Sequence, residues 1–189
     1  MSEEQLIPLK NYESLLTAST LAILNHAQAE TVIFKKRSVT TSLLFLALVH
    51  KGIGFKPDFL SRIRVLITPG EELGSQEAPL SPLAGEVLTN ANKLRSEMGL
   101  KKIDHTCLLI GFLALTKGKH LDLFKQLGLD REFLHDNYLR TFLVSELLSA
   151  KPQDLQNYLN KLSQYIITRD KFIDQKLDLI LAQLGPKKI

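Results

Sequence analysis

The chain sets two unbroken apolar runs behind short polar starts. Thr40-Thr41-Ser42 leads into Leu43-Leu44-Phe45-Leu46-Ala47-Leu48-Val49, and Asp104-His105-Thr106 leads into Cys107-Leu108-Leu109-Ile110-Gly111-Phe112-Leu113. Seven consecutive apolar residues are too many for a stripe facing water, so each run predicts an element buried nearly all round. Before the first run, Tyr12 to Glu30 carries Leu15, Leu16, Ala18, Leu21, Ala22, Leu24 and Ala27 without Gly or Pro, the pattern of an amphipathic helix. Thr40 or Thr41 can accept a hydrogen bond from an otherwise orphan backbone N–H and so start the buried helix. His50-Lys51-Gly52-Ile53-Gly54 reads as a turn, Pro57 and Asp58 open a shorter segment from Phe59 to Leu66, and a polar stretch rich in Pro and Gly comes next.

The plan then restarts. From Thr40 to Asp104 is a shift of 64 residues, and the same shift, without gaps, superposes much of the chain. Thr17-Ala18 falls on Ser81-Pro82, Leu24 on Leu88, Ala27 on Ala91, Phe34 on Met98, Val39 on Ile103, Leu44 on Leu108 and Leu48 on Phe112. Beyond the runs, Gly54 falls on Gly118, Asp58 on Asp122, Ile63 on Leu127 and Val65 on Leu129. Helical periodicity alone does not align caps, apolar positions and a turn glycine at one offset, so the chain contains an internal duplication. Ser81 suits an N-cap, with Pro82 at the first helical position, where a missing N–H costs nothing.

The fold expected is all-α: a duplicated repeat of three to four helices with pseudo-twofold symmetry, each copy burying its central helix against the other, plus a carboxy-terminal helical extension. The domain is expected over residues 1–150, with repeats at about 12–66 and 81–130 and a linker at 67–80, and the extension over 151–189. Within the extension Leu155, Tyr158, Leu159, Leu162, Tyr165, Ile166, Ile173, Leu177, Ile180 and Leu184 recur at helical spacing up to Gly185-Pro186. That apolar face needs a cover, from this domain, a partner or a second copy.

Composition narrows the chemistry. One cysteine, Cys107, allows no internal disulfide, and its apolar neighbours make it a small buried hydrophobe suited to a reducing compartment. No stretch approaches the ~20 apolar residues of a membrane span. Met1-Ser2-Glu3-Glu4 lacks the basic start of a signal peptide, so the expectation is a cytoplasmic protein without membrane contact. A phosphate-binding glycine loop with a Lys and Ser or Thr after it is missing, and Lys117-Gly118-Lys119 reads as a turn. His26, His50, His105, His120 and His135 lack the spacing of a helical metal pair, and carboxylates are scattered. No catalytic, metal or cofactor-binding residue is therefore assigned, and no cofactor is expected. The net charge of +4 comes with two compact basic clusters, Lys35-Lys36-Arg37 and Lys101-Lys102, which the shift places at equivalent positions.

The duplicated three-helix unit, Ser81-Pro82-Leu83-Ala84 opening its second copy, Val87-Leu88 and Ala91 in the helix after it, Gly99 before Ile103, and a polar cap leading into two leucines and a Gly or Ala, together resemble the amino-terminal repeat domain of Clp AAA+ unfoldases over roughly Tyr12 to Tyr138. The resemblance implies an all-α, non-catalytic module that receives substrates and docks adaptors, here without the ATPase ring. It would act as an accessory or adaptor, its partner a Clp ATPase or protease ring or its clients. That family commonly writes the cap of each central helix as Gly-Thr-Glu-His, and in one branch the two glutamates read phosphorylated arginine. Here those positions hold Ser42 and Thr106. A guanidinium needs an anionic partner for strong paired recognition, so the resemblance does not extend to phosphoarginine reading. The residues expected to meet a protein partner are Lys35, Lys36, Arg37, Ser42, Lys101, Lys102 and Thr106, with the exposed stretch Thr68 to Pro79 beside them. The alternative is a helical nucleic-acid-binding regulator that sets the two basic clusters on phosphates, although no recognition helix with base-reading residues is visible.

Overall fold

A computed structural model describes residues 6–53 and 57–149 and a few positions between 159 and 168. Its α-helices are α1 (Ala18–Ile33), α2 (Thr41–Leu48), α3 (Pro57–Leu66), α4 (Pro82–Glu97), α5 (His105–Leu113), α6 (His120–Leu127) and α7 (Arg131–Ser149). No strand forms among the described residues beyond three isolated backbone bridges. The chain divides into two compact units, Met1–Leu139 and Arg140–Ile189, and both copies of the repeat lie in the first. The extension expected over 151–189 lies for the most part outside the described residues.

The duplication is visible in the helix ends. At a shift of 64, Ala18–Ile33 falls on Pro82–Glu97 at both termini, and α2 starts where α5 starts. The caps correspond as well. Thr17, Thr40, Ser81 and Asp104 each sit in extended backbone and accept, through a side-chain oxygen, the N–H three residues on. Each cap satisfies one of the donors that a helix start leaves open. The first helix begins at Ala18 rather than near Tyr12, because the extended backbone of Leu16 pairs with Ile103 and Thr17 caps the helix there, leaving Leu9–Asn11 and Glu13–Leu15 as short 3-10 turns.

The pairing that joins the copies is reciprocal. The Val39 N–H donates to the Pro79 carbonyl (2.8 Å) and the Ser81 N–H to the Val39 carbonyl (3.0 Å). In the mirror position the Ile103 N–H donates to the Leu15 carbonyl (2.7 Å) and the Thr17 N–H to the Ile103 carbonyl (3.0 Å). Every residue of one set maps on a residue of the other, so each copy's central helix starts beside the other copy's first helix. This is how a pseudo-twofold axis appears in backbone hydrogen bonds.

Along that axis the apolar runs pack together. Leu43, Leu44, Leu46, Ala47 and Leu48 of α2 and Leu108 and Phe112 of α5 have no exposed surface. Phe45 stacks parallel to Phe112 at 5.6 Å, and both meet Phe124 of α6 edge-on at 4.8 and 5.9 Å. Offset and edge-on rings are the favourable aromatic arrangements, so the trio ties the two central helices to the third helix of the second copy.

The copies diverge after the central helices. In the first, Val49–Ile53 winds on as a π-helix instead of the expected turn. In the second, Gly118 takes a left-handed backbone and α6 ends on a left-handed Gly128. Val65 is 85% exposed, so its alignment with the half-buried Leu129 is not a shared core position.

One equivalence carries a strain. The first helix of each copy ends in a left-handed residue, Gly99 (φ 68°) in the second and Lys35 (φ 49°) in the first. The closing bonds match, Leu100 N–H to the Arg95 carbonyl and Lys36 N–H to the Thr31 carbonyl, both at 3.0 Å. Glycine tolerates this conformation and lysine crowds its own Cβ. Lys35→Gly is therefore expected to raise stability by about 0.5–1 kcal/mol, net of the extra freedom glycine has when unfolded. Urea denaturation of the two proteins side by side checks the sign.

The stretch between the copies is exposed but anchored. Gly70 N–H donates to the Phe34 carbonyl (2.8 Å), Glu72 N–H to the Lys35 carbonyl (3.1 Å), and the Gln28 amide to the Ala78 carbonyl (2.8 Å). The Thr31 hydroxyl donates to the Ser75 carbonyl (2.9 Å). These bonds strap it across the end of α1.

Candidate functional site

The bridge of Val39 to Leu80 sets the starts of α2 and α4 side by side, and a cleft of about 240 Å³ opens between them. Lys36 and Ser38, next along the chain from the strained Lys35, form one wall. Thr40, Thr41 and Ser42 form the floor, Ser81, Pro82 and Leu83 the opposite wall, and Lys119, just before α6, the rim. None of these residues is acidic. An adjoining lobe of about 290 Å³ shares Lys36, Ser42 and Lys119 and continues past Thr68 and Gln126, with Asp122 as its one carboxylate.

The electrostatics of the cleft point one way. The N–H groups of Thr41, Ser42 and Leu83 lie in first turns, where no intrahelical acceptor exists, and the positive ends of two helix dipoles converge. The oxygens of Thr40 and Ser81 accept from Leu43 and Ala84 N–H at 3.4 and 3.3 Å, which leaves each hydroxyl hydrogen free to donate. Ser42 is 7% exposed, and its hydroxyl meets no hydrogen-bond partner among the described residues. Partial burial, and then the nearby charge of Lys119, hold the Lys36 ammonium below the usual lysine range.

The pseudosymmetric position differs in one decisive residue. The cap of α5 is Asp104, whose carboxylate accepts from Cys107 N–H at 2.7 Å. A carboxylate at a helix start supplies the negative charge that the dipole favours. At α2 the cap is the neutral Thr40, and the equivalents of Lys36 and Ser38 at α5 are Leu100 and Lys102.

The residues expected to meet a partner are thus divided. Lys36 and Ser42 come together in the cleft. Lys35 closes α1, and Arg37 stands 3.7 Å from Glu72, both of them exposed. Lys101 and Lys102 are exposed at the end of α4 and Thr106 is half-buried, and none of these three lines the cleft. Sequence reasoning missed Lys119, which reads as part of a turn. Its counterpart at the shift is Phe55, so the repeat offers no signal for it.

Two histidines remote in sequence also meet. His26 of α1 and His50 of the π-helix approach ring nitrogen to ring nitrogen at 2.6 Å, and His26 lies 3.3 Å from the buried Glu30, which also pairs with Arg64 of α3. Burial and the neighbouring His50 lower the His26 pKa. The two rings are within hydrogen-bond distance of each other, and no cluster of three metal-ligating side chains occurs among the described residues.

Solved structures share this architecture. The N-terminal domain of the caseinolytic protease associated chaperone ClpD from Arabidopsis thaliana superposes with a TM-score of 0.57 at 18% identity, over 68% of this chain and 94% of that domain. The fold is that of a Clp amino-terminal domain. The N-domain of ClpV from Vibrio cholerae aligns over 73% of this chain and 91% of its own at 22% identity, with a TM-score of 0.50. No family model and no curated protein sequence matches the chain. Among the described residues, no helix of this Clp N-domain fold is long and apolar enough to cross a membrane.

Proposed function

We propose that the protein is a non-catalytic interaction module, an accessory or adaptor that acts with a Clp ATPase or protease or with its substrates. The observation that carries this reading is the cleft where the two copies meet: helix starts, hydroxyls and lysines line it, and no acid, histidine or cysteine stands among them. Such a lining binds and does not transform. The Clp N-domain fold supports a protein as the ligand, because the likeness implies substrate receipt and adaptor docking. Exposed Lys35, Arg37, Lys101, Lys102 and the half-buried Thr106 extend the contact surface around the two symmetric helix ends.

Affinity capture of the full chain from its native cell, read out by mass spectrometry, is expected to recover a Clp ATPase, a Clp protease subunit or a shared client. Recovery is expected to fall when Lys36 and Lys119 are both replaced by Gln. Capture of nucleic acid without any stable protein would overturn the proposal in favour of a nucleic-acid-binding regulator, and salt-dependent binding to duplex DNA would then be expected.

A further inference from the structure

We infer that His26 and His50 form an acid-released latch, which holds the π-helix Val49–Ile53 against α1 and lets it go when both rings are fully protonated. His26 Nε2 faces His50 Nδ1 at 2.6 Å, with the ring centroids 4.4 Å apart. A hydrogen bond between two imidazole nitrogens takes one N–H, and the other nitrogen must offer its lone pair. Whichever ring donates, the closed pair therefore holds at least one proton fewer than two separate imidazolium rings. The open form binds the extra proton, so linkage makes acid favour release.

The charges around the pair act in the same direction. Glu30, one turn along α1 and 1% exposed, sets Oε1 3.3 Å from His26 Nε2 and pairs that same oxygen with Arg64 of α3. Its Oε2 meets no hydrogen-bond partner among the described residues. Lys51 of the π-helix and Arg64 add their charge, so a fully protonated pair would set four cations around one carboxylate. Burial and the neighbouring His50 accordingly hold the His26 imidazole below the ordinary histidine range, and Glu30 alone opposes them. Helices α2 and α5 also pack on α1. The first has no charged residue, and His105 and Cys107 of the second stand in its first turn, beside Thr17 and roughly two turns of α1 from His26.

The second copy supplies the contrast. At the shift of 64, His26 falls on Asn90, Glu30 on Leu94, His50 on Ala114 and Arg64 on Gly128, none of them charged or titratable. Asn90 instead donates its amide to the Gly111 carbonyl of α5 (3.4 Å), and that helix ends at Leu113. Among the described residues the π-helix is confined to the copy that carries the histidine pair. A π-helix is a rare conformation that depends on its surroundings, and the His26–His50 contact gives it a support that acid withdraws. The device makes the first copy alone sensitive to mild acid, at the end of α2 opposite its Thr40 cap.

The test is amide hydrogen exchange of the full chain, followed by NMR from about pH 8 to about pH 5.5, with each rate divided by the intrinsic rate of its amide at that pH. Protection of the amides of Val49–Ile53 is expected to fall up to about tenfold for each pH unit below the ordinary histidine value of 6.5, the slope of one proton, while the amides of Leu108 to Phe112 in α5 keep theirs. His50→Ala and His26→Asn, each giving the residue found at the equivalent place in the second copy, are both expected to remove this pH dependence. Protection of the π-helix that stays constant across the range overturns the latch. A fall that persists in both variants overturns it as well, because another group would then be responsible. An equal fall in α5 also overturns it, as general unfolding by acid.

Discussion

Gly111→Ala is expected to destabilise the protein by about 3 kcal/mol, near the upper end of what overpacking costs. A Cβ at this position of α5 would stand 2.7 Å from the Val87 carbonyl oxygen, 2.8 Å from the Ala91 nitrogen and 3.1 Å from the Ala91 Cα. All three atoms are backbone of α4, so no side-chain rotation relieves the clash and the two helices must separate. Ordinary expectation runs the other way, because Ala in a helix interior is favoured over Gly by about 1 kcal/mol. The pseudosymmetric residue is Ala47 in α2, fully buried, where a Cβ already fits. Ala47→Gly therefore serves as the control, expected to cost about 1–2 kcal/mol through helix propensity and a small cavity. Urea denaturation of both variants decides the matter, and a Gly111→Ala protein as stable as the parent would mean that α4 and α5 do not cross this closely.

The second large effect depends on pH. His120 has no exposed surface, packs against Phe112 at 4.9 Å and Phe124 at 5.9 Å, and neither of its ring nitrogens meets a hydrogen-bond partner among the described residues. Burial, reinforced by the charge of Arg131 and opposed by Asp122, lowers its pKa to about 4. Proton counting gives the sign. Between about 4 and the ordinary histidine value near 6.5 the unfolded chain holds a proton that the folded chain does not, so stability is lost as pH falls through this window. The full loss at its acid end is about 3 kcal/mol, from about 1.4 kcal/mol for each pH unit. His120→Leu replaces two unsatisfied nitrogens with an apolar side chain, and is expected to gain about 1–3 kcal/mol at pH 7. The gain should widen below pH 6, because the variant has no proton to exclude. Unfolding free energies of both proteins at pH 7 and pH 4.5 provide the check, and parallel pH profiles would show that His120 is solvated or hydrogen-bonded.

These two residues show why the core was readable in outline and not in detail. The runs around Leu44 and Leu108 announce burial by themselves, and Gly111 sits within one of them like any helical residue of small size. Its close approach to Ala91 depends on how far apart two helix axes lie, which no local pattern encodes. His120 looks like a surface residue beside Lys119, and is buried because α6 turns that face onto Phe112. The cleft at the helix starts divides in the same manner. Ser42 stood out because a family pattern places an acid there, and Lys36 because it belongs to a basic cluster. Lys119 had no such mark and Ser81 was marked only as a helix cap, since their meeting with Lys36 and Ser42 arises only when one copy of the repeat is laid against the other.

The sequence by itself determined the duplication, the Ser81 cap, the presence of three helices in each copy and the burial of α2 and α5, because each of these comes from short-range spacing and from apolar runs that have no other stable place, whereas the start of α1 at Ala18 did not show in it. Tertiary structure alone decided which side chains meet at each helix start. The symmetric pairing of Val39 with Leu80 and Leu16 with Ile103 brings together helix starts that are distant in the chain. The charges that surround the two starts then differ, Lys36 and Lys119 standing at one and Asp104 at the other. Electrostatic fields act through space between residues remote in sequence, which is why a repeat read along the chain looks symmetric and the folded surface does not.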